Sequence, residues 1–322
     1  MTETTVNATP TSGRTLSIVI PVFNSEQTIG ALVDRLGEVL PQIADSYEAI
    51  LVNDASRDGS WEVVRECAER CPWVRGINFT RNYGQHNALL CGIRAAKMDT
   101  IVTMDDDLQH PPEEIHKLLA VLDEGYDVAY GTPERLQHSG LRNVASWVTK
   151  LALKSAMGAD VARQANAFRA FRTQMRLAFE RYRSPNVSID VLLTWGTTRF
   201  GSVAVNHQPR AAGVSNYTVG KLITHAFNMM TGFSTVPLQV ATWTGFAFTL
   251  VGIAIFAYAI LNFLLRGSIP GFTFLAAAIA MFSGAQMFAL GMIGEYLARV
   301  YFRTMDKPEY VVRERTDEGE QA

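Results

Sequence analysis

The chain has three cysteines among 322 residues, Cys67, Cys71 and Cys91, too few for a disulfide framework. Their spacing gives no paired metal-ligand pattern, and Cys67 and Cys71 fall four apart on an expected helix, where packing or surface placement accounts for them. Excess positive charge is also missing. The formal net charge is −2, so no global basic field points to nucleic acid. Neither Gly-x-Gly-x-x-Gly nor Gly-Lys-Ser/Thr occurs, so no glycine cradle of either kind is available for a phosphate. Residues 1–14 are polar without an apolar core, which excludes a signal peptide and predicts a disordered N-terminus. Two stretches, 236–265 and 271–294, lack charged residues altogether.

Those charge-free runs hold nearly all the hydrophobic excess of the chain. A membrane-spanning helix needs about 20 apolar residues, and each run exceeds that. Residues 266–270 between them suit a tight turn, giving a hairpin over 236–298. Arg299, Arg303, Lys307, Arg313 and Arg315 follow the second run, against Arg266 alone in the turn. The positive-inside rule then puts the turn outside, and the N-terminal domain and the 299–322 tail in the cytoplasm. The expected location is the cytoplasmic membrane, multi-pass, with both termini cytoplasmic.

Ahead of the hairpin, short apolar runs alternate with helical spacing. Strands are expected at residues 16–20, 49–52, 74–79, 101–104 and 126–130, and helices at 28–40, 61–70, 87–96 and 112–124. Ser25 is the expected cap of the first helix. Repeated strand–loop–helix units predict an α/β fold with a doubly wound, mostly parallel sheet over residues 15–230. The polar loops 21–26, 53–60, 81–85 and 105–109 all leave strand C-termini and should converge on one crevice. They suit a nucleoside diphosphate donor, with Asp54 accepting from a base or ribose.

The richest loop is Asp105-Asp106-Asp107-Leu108-Gln109-His110-Pro111-Pro112. Three adjacent carboxylates repel and need a cation or shared protons, unless they form a solvated acidic turn. Mg²⁺ or Mn²⁺ is the natural partner, because hard cations take oxygen ligands and hold substrate phosphates. On an extended backbone Asp105 and Asp107 share a face with Gln109 while Asp106 points away. Asp105, Asp107 and Gln109 are therefore the candidate metal ligands, Asp106 the candidate contact to a donor sugar, and His110 a structural residue of the turn.

Beyond residue 131 the composition turns basic. Residues 141–157 form an expected basic amphipathic helix that suits a membrane surface, and 215–230 hold a second interfacial candidate. Arg163, Arg169, Arg172, Arg176, Arg181 and Arg183 add local positive charge, and the planar guanidinium is well matched to phosphate.

Together, Val19-Ile20-Pro21-Val22-Phe23-Asn24-Ser25-Glu26, Asn53-Asp54-Ala55-Ser56, Arg81-Asn82-Tyr83-Gly84-Gln85, the acid cluster through Glu113, and Gly294-Glu295-Tyr296 resemble the polyprenyl-phosphate glycosyltransferases of glycosyltransferase family two. The resemblance is nearest to the bacterial undecaprenyl-phosphate branch, with dolichol-phosphate mannose synthase more distant. It implies a GT-A catalytic fold, a nucleotide-sugar donor, a polyprenyl phosphate acceptor, a membrane setting, and Mg²⁺ or Mn²⁺; two spans alone give little membrane packing, so a homo-oligomer is expected. The resemblance implies donor contacts from Pro21, Phe23, Glu26, Asp54, Ser56, Gln85, Asp105 and Asp106. Arg142, Ser146, Arg210, Ser215 and Tyr217 are implied for the acceptor phosphate. Asp106, Asp107 and Arg135 are the implied catalytic residues. Two departures stand out: Thr132-Pro133-Glu134 precedes Arg135 where Gly-Ser-Arg is commoner, and Asn216 replaces a lysine in Gly-x-Ser-Lys-Tyr.

The implied reaction moves a sugar, UDP-linked on this reading, to a polyprenyl phosphate in one inverting displacement. A phosphate acceptor is already anionic near neutral pH, so no strong base is required, and Asp106 and Asp190 are candidates for orienting the sugar. The competing expectations are a GDP-mannose-dependent mannose synthase and a non-catalytic membrane-anchored binding protein. A processive synthase would carry Gln-x-x-Arg-Trp, which is absent.

Overall fold

The computed structural model describes residues 13–133, 165–184, 187–208, 236–266, 271–305 and 307–317. Arg135, Arg142, Ser146, Arg163, Arg210, Ser215 and Tyr217, and both candidate interfacial helices, lie outside the described residues.

Eight strands form one sheet in the order β7-β5-β6-β4-β1-β2-β3-β8. They are β1 (Thr15–Val22), β2 (Ser46–Asn53), β3 (Val74–Phe79), β4 (Thr100–Thr103), β5 (Val128–Pro133), β6 (Arg169–Arg172), β7 (Phe200–Val205) and β8 (Val312–Arg315). Pairings β1–β2, β2–β3, β1–β4 and β5–β7 are parallel; β6 runs antiparallel to β4 and β5, and β8 antiparallel to β3. The expected mostly parallel sheet is therefore present. Neither antiparallel strand was legible in the sequence. β6 carries an arginine at each end, and β8 lies beyond the apolar runs.

Helices cover both faces: α1 (Ile29–Ile43), α2 (Ser60–Arg70), α3 (Gln85–Ala95), α4 (Ile115–Asp123) and α5 (Ile189–Leu193). Leu16, Ile18 and Ile20 of β1 pack with α1, α2 and α4, while Val19 packs with α3 and α5. This two-residue alternation, with both sides covered, is why the central strands read as unbroken apolar runs. The first helix starts within one residue of the expected position, but Thr28 rather than Ser25 sits at its cap, with no side-chain cap bond. Ser25 is otherwise engaged, as described below. Arg172 and Arg176, expected among phosphate-seeking charges, instead donate to the Leu122 and Ala96 carbonyls at helix C-terminal ends. Unsatisfied carbonyls gather there and attract cations.

Helix α3 comes close to β1 because it carries Gly92. A Cβ at that position would collide with Val19 Cγ1. Gly→Ala inside a helix normally stabilises by roughly 0.5–1 kcal/mol, but overpacking costs about 1–3 kcal/mol. Overpacking wins here, so Gly92→Ala should lower the midpoint of denaturant unfolding; an unchanged or raised midpoint would refute the tight α3–β1 seam.

Two long helices follow: α6 (Val236–Arg266) and α7 (Phe272–Thr304). They pack on each other, with Phe248 and Phe282 edge to face and the Phe282 ring over Gly252. Among the described residues one helix, over Leu238–Leu265, is long and apolar enough to cross a membrane. Its Trp243, Phe256 and Leu264 side chains are exposed in the isolated chain. The second helix continues to Thr304, ten residues past the expected end of the apolar run.

Candidate active site

From β1 the chain proceeds outward through β2 and β3 on one side, while β4 lies on the other. The strand order therefore reverses at the β1/β4 boundary, and a crevice opens beyond the C-terminal ends of such strands. The loops after β1, β2, β3 and β4 meet there. Each carries one described residue with positive φ: Asn24, Ala55, Gly84 and Leu108, at 54°, 53°, 95° and 61°. Left-handed backbone is costly for residues other than glycine and collects at functional sites. Asn24, Ala55 and Leu108 are the only non-glycine positions of this kind among the described residues.

The loops are laced by carboxylates that accept backbone N–H groups. Asp54, 3% exposed, accepts from Tyr83 N at 2.6 Å and Gly84 N at 2.8 Å. Burial pushes its carboxyl above the ordinary range, opposed by those two donors. Gly84 has φ 95° and ψ 152°, a conformation open to glycine, which lets consecutive N–H groups face one carboxylate. Glu26 accepts from Gly59 N at 2.7 Å, tying the β1 loop to the start of α2. Ser56 Oγ donates to Asn53 Oδ1 at 2.5 Å and accepts from Asn24 N at 3.0 Å. Pro21 is buried within β1 opposite Val52, whereas Phe23 stands 43% exposed at the crevice.

Strand β4 ends at Thr103, so the acid cluster sits on a loop and turn, with Leu108 at φ 61°, rather than on the extended backbone expected, and its three carboxylates take different partners. Asp105 Oδ1 accepts from Gln85 Nε2 at 2.7 Å, which joins the β4 loop to the first residue of α3. Asp107, 8% exposed, accepts from Gln109 N at 3.1 Å in a local turn. The sequence reading put Asp106 at a donor sugar. Its Oδ2 accepts from Phe23 N at 3.1 Å and Ser25 Oγ at 2.5 Å, so that oxygen is committed to the β1 loop. Burial raises its carboxyl against those two bonds. The same bond takes Ser25 away from the helix cap.

Behind the cluster, His110 stacks on Phe168 with ring centroids 5.2 Å apart and meets His207 edge-on at 5.1 Å. Burial, with the neighbouring His207, holds its pKa down to about 4, while Asp107 pulls the other way. His110 therefore stays neutral near physiological pH. The Gln109 carbonyl accepts from Gln208 N at 2.9 Å, so the β7 exit also closes on the turn.

One group in the site was misread from sequence. Arg169, counted among phosphate-seeking charges, is buried in β6. Its Nε donates to Thr103 Oγ1 at 3.0 Å and its Nη1 to Asp190 Oδ1, which also accepts from Tyr130 Oη at 3.0 Å. Asp190, a candidate for orienting the sugar, thus has one oxygen committed to this pair. The sequence signal for it would have been the alternation of Arg169-Ala170-Phe171-Arg172, which puts Arg169 and Phe171 on one face.

Residues 17–182, more than half of the chain, match the model of Glycosyl transferase family 2. The undecaprenyl-phosphate 4-deoxy-4-formamido-L-arabinose transferase of Yersinia pestis (strain Pestoides F) is 33% identical over 305 residues, covering 92% of each chain. Its counterpart in Proteus mirabilis (strain HI4320) is 34% identical over 305 residues, covering 92% of this chain and 93% of that one. Among solved structures, glucosyl-3-phosphoglycerate synthase from Mycobacterium tuberculosis, in complex with Mn²⁺, UDP-glucose and phosphoglyceric acid, superposes with a TM-score of 0.52. It is 18% identical, covering 68% of this chain and 78% of that one, so the likeness is one of fold. Strand order, crevice and relatives agree: the chain belongs to glycosyl transferase family 2 and is a glycosyltransferase of GT-A-like fold, related along most of its length to polyprenyl-phosphate sugar transferases.

Proposed function

We propose that the protein transfers a sugar from a uridine diphosphate-linked donor to a polyprenyl phosphate such as undecaprenyl or decaprenyl phosphate. The observation that carries this reading is the pair Asp105 and Asp107 at the strand-order reversal, with one Asp106 oxygen committed to the β1 loop. The relatives named as undecaprenyl-phosphate transferases support the acceptor class. The neighbour bound to Mn²⁺ and UDP-glucose supports the donor class.

A divalent cation fits the residues present. Among the described residues no cluster of three His, Cys, Asp or Glu is formed, as a self-sufficient protein cage would require. Asp105, Asp107 and the Gln109 amide are all oxygen donors, and two carboxylates plus diphosphate oxygens suit Mg²⁺ or Mn²⁺. When bound, the cation would neutralise charge on the departing diphosphate. The chain's own residues do the positioning. Phe23 offers an exposed ring for a base, over a floor set by Pro21. Asp54, Glu26 and Ser56 fix the loops that shape the nucleoside pocket, and Gln85 orients Asp105. In this reading Arg135 assists the leaving group, and Arg142, Ser146, Arg210, Ser215 and Tyr217 receive the acceptor phosphate.

The acceptor oxygen attacks the anomeric carbon as the bond to the diphosphate breaks, so configuration inverts. The chain crosses the cytoplasmic membrane twice through α6 and α7, with the catalytic domain and both termini cytoplasmic, and it assembles as a homo-oligomer. The test is to incubate purified full-length protein with polyprenyl phosphate, Mn²⁺ and a panel of labelled nucleotide sugars. Label should pass to an acid-labile lipid from one uridine-linked donor, with inverted configuration. No transfer from any uridine-linked sugar, or retention in the product, would refute the reading.

A further inference from the structure

We propose that the C-terminal strap, residues 309–315, is a positioning element of the donor crevice. It holds the 81–85 loop in the conformation whose N–H groups grip Asp54 and whose Gln85 grips Asp105. The inference deepens the reading of that crevice as the donor site and rests on it.

The strap grips the two residues that lead into the loop and the far end of the helix that leaves it. Phe79 ends β3 immediately before the loop, and Tyr310 lies flat on it, with centroids 5.2 Å apart and 6° between planes. The other edge of the stack is Tyr83 of the loop, which meets Phe79 edge-on at 5.6 Å. Thr80, the next residue, has both backbone groups taken by the strap. Its N–H donates to the Val311 carbonyl at 3.0 Å, and its carbonyl accepts from Arg313 Nη2 at 3.2 Å. In the last turn of α3, Arg94 Nη2 lies 3.6 Å from Glu309 Oε1, and Arg183 Nη1 lies 3.8 Å from Glu309 Oε2. Glu309 is 3% exposed, and carboxylates are rarely buried unless paired. Strand β8 then continues the grip along β3.

The position of the strap in the chain gives this a purpose. Helix α7 ends at Thr304, and Glu309 is five residues later, a reach of about 17 Å at full extension. The donor loop is therefore tethered by a short link to the membrane hairpin. A simple edge strand would need neither the buried Glu309 nor two bonds to Thr80. The loop is also held by hydrogen bonds to two carboxylates, by Asn87 Nδ2 donating to the Tyr83 carbonyl at 2.6 Å, by the Asn87 and Ala88 N–H groups on the Gly84 carbonyl, and by Arg81, 4.4 Å over the Tyr83 ring.

The test uses the full-length protein in detergent and hydrogen exchange of peptides covering residues 81–85 and β1. Tyr310→Leu keeps an apolar side chain but loses the flat stack, and should speed exchange at 81–85 by about five- to tenfold while β1 is unchanged. Tyr310→Phe should restore the wild-type rate. Arg313→Ala, at an exposed position, should speed the same peptide by roughly twofold and stands in if Tyr310→Leu does not fold. Unchanged exchange at 81–85 in the folded variants would overturn the proposal, as would equal acceleration in β1. Binding of uridine diphosphate with Mn²⁺ is measured in parallel. Faster exchange with weaker nucleotide binding supports both readings. Faster exchange with unchanged binding supports the clamp and removes the loop from the donor site.

Discussion

Asp107→Asn should lower the rate of sugar transfer by about 10²–10³-fold at saturating donor, the usual cost of removing one preorganised electrostatic group. The substitution is chosen so that folding is spared. Asparagine keeps an Oδ1 that can accept from Gln109 N, which is the bond holding the turn. What it removes is the negative charge, and with it a hard anionic ligand for Mg²⁺ or Mn²⁺. Asp106→Asn is the matched control. Asp106 serves the β1 loop through bonds from Phe23 N and Ser25 Oγ, both of which an amide oxygen can accept. Burial already disfavours its charge, so a neutral substitute costs little. The expected pattern is a severe loss at 107 and a mild one at 106, with both proteins melting close to wild type. Equal losses would return Asp106 to the reacting centre, and a wild-type rate for Asp107→Asn would remove it from metal binding.

That contrast marks a limit of the sequence. The period-two rule did not reach the cluster, because β4 ends at Thr103 and a turn follows; the separate partners of Asp105, Asp106 and Asp107 come from the loops around them. The destination of Asp106 depends on β1 lying beside β4, a contact between residues about 80 positions apart. No local pattern encodes it. The apolar runs of β1, β2 and β3 were legible because both faces of a parallel sheet are covered and each strand must be apolar throughout. β8 was not, since Val312-Arg313-Glu314-Arg315 is three-quarters charged and sits at an edge, where charge is normal. The arginines misled for a related reason. Composition shows that Arg172 and Arg176 are cationic, but only the fold shows helix ends waiting for them.

Arg169 carries the largest expected loss of stability. Thr103, Arg169 and Tyr130 occupy one register row across β4, β6 and β5, so their side chains share a face. Arg169 is 1% exposed and gives Asp190 its cation, while Tyr130 adds a neutral hydrogen bond. Arg169→Met fills much of the same volume but strands the Asp190 charge. Breaking one side of a buried pair costs about 3–5 kcal/mol, and at about 2–4 °C per kcal/mol for a domain of this size the melting temperature should fall on the order of 10 °C. Removing the stranded charge as well should recover stability, because replacing both partners by apolar groups is often neutral. Arg169→Met with Asp190→Leu should therefore melt well above Arg169→Met alone. If the double variant is no more stable than the single, the cost lies in packing and the ion pair contributes little. If it recovers stability without recovering transfer, Asp190 is needed in the crevice for more than holding Arg169.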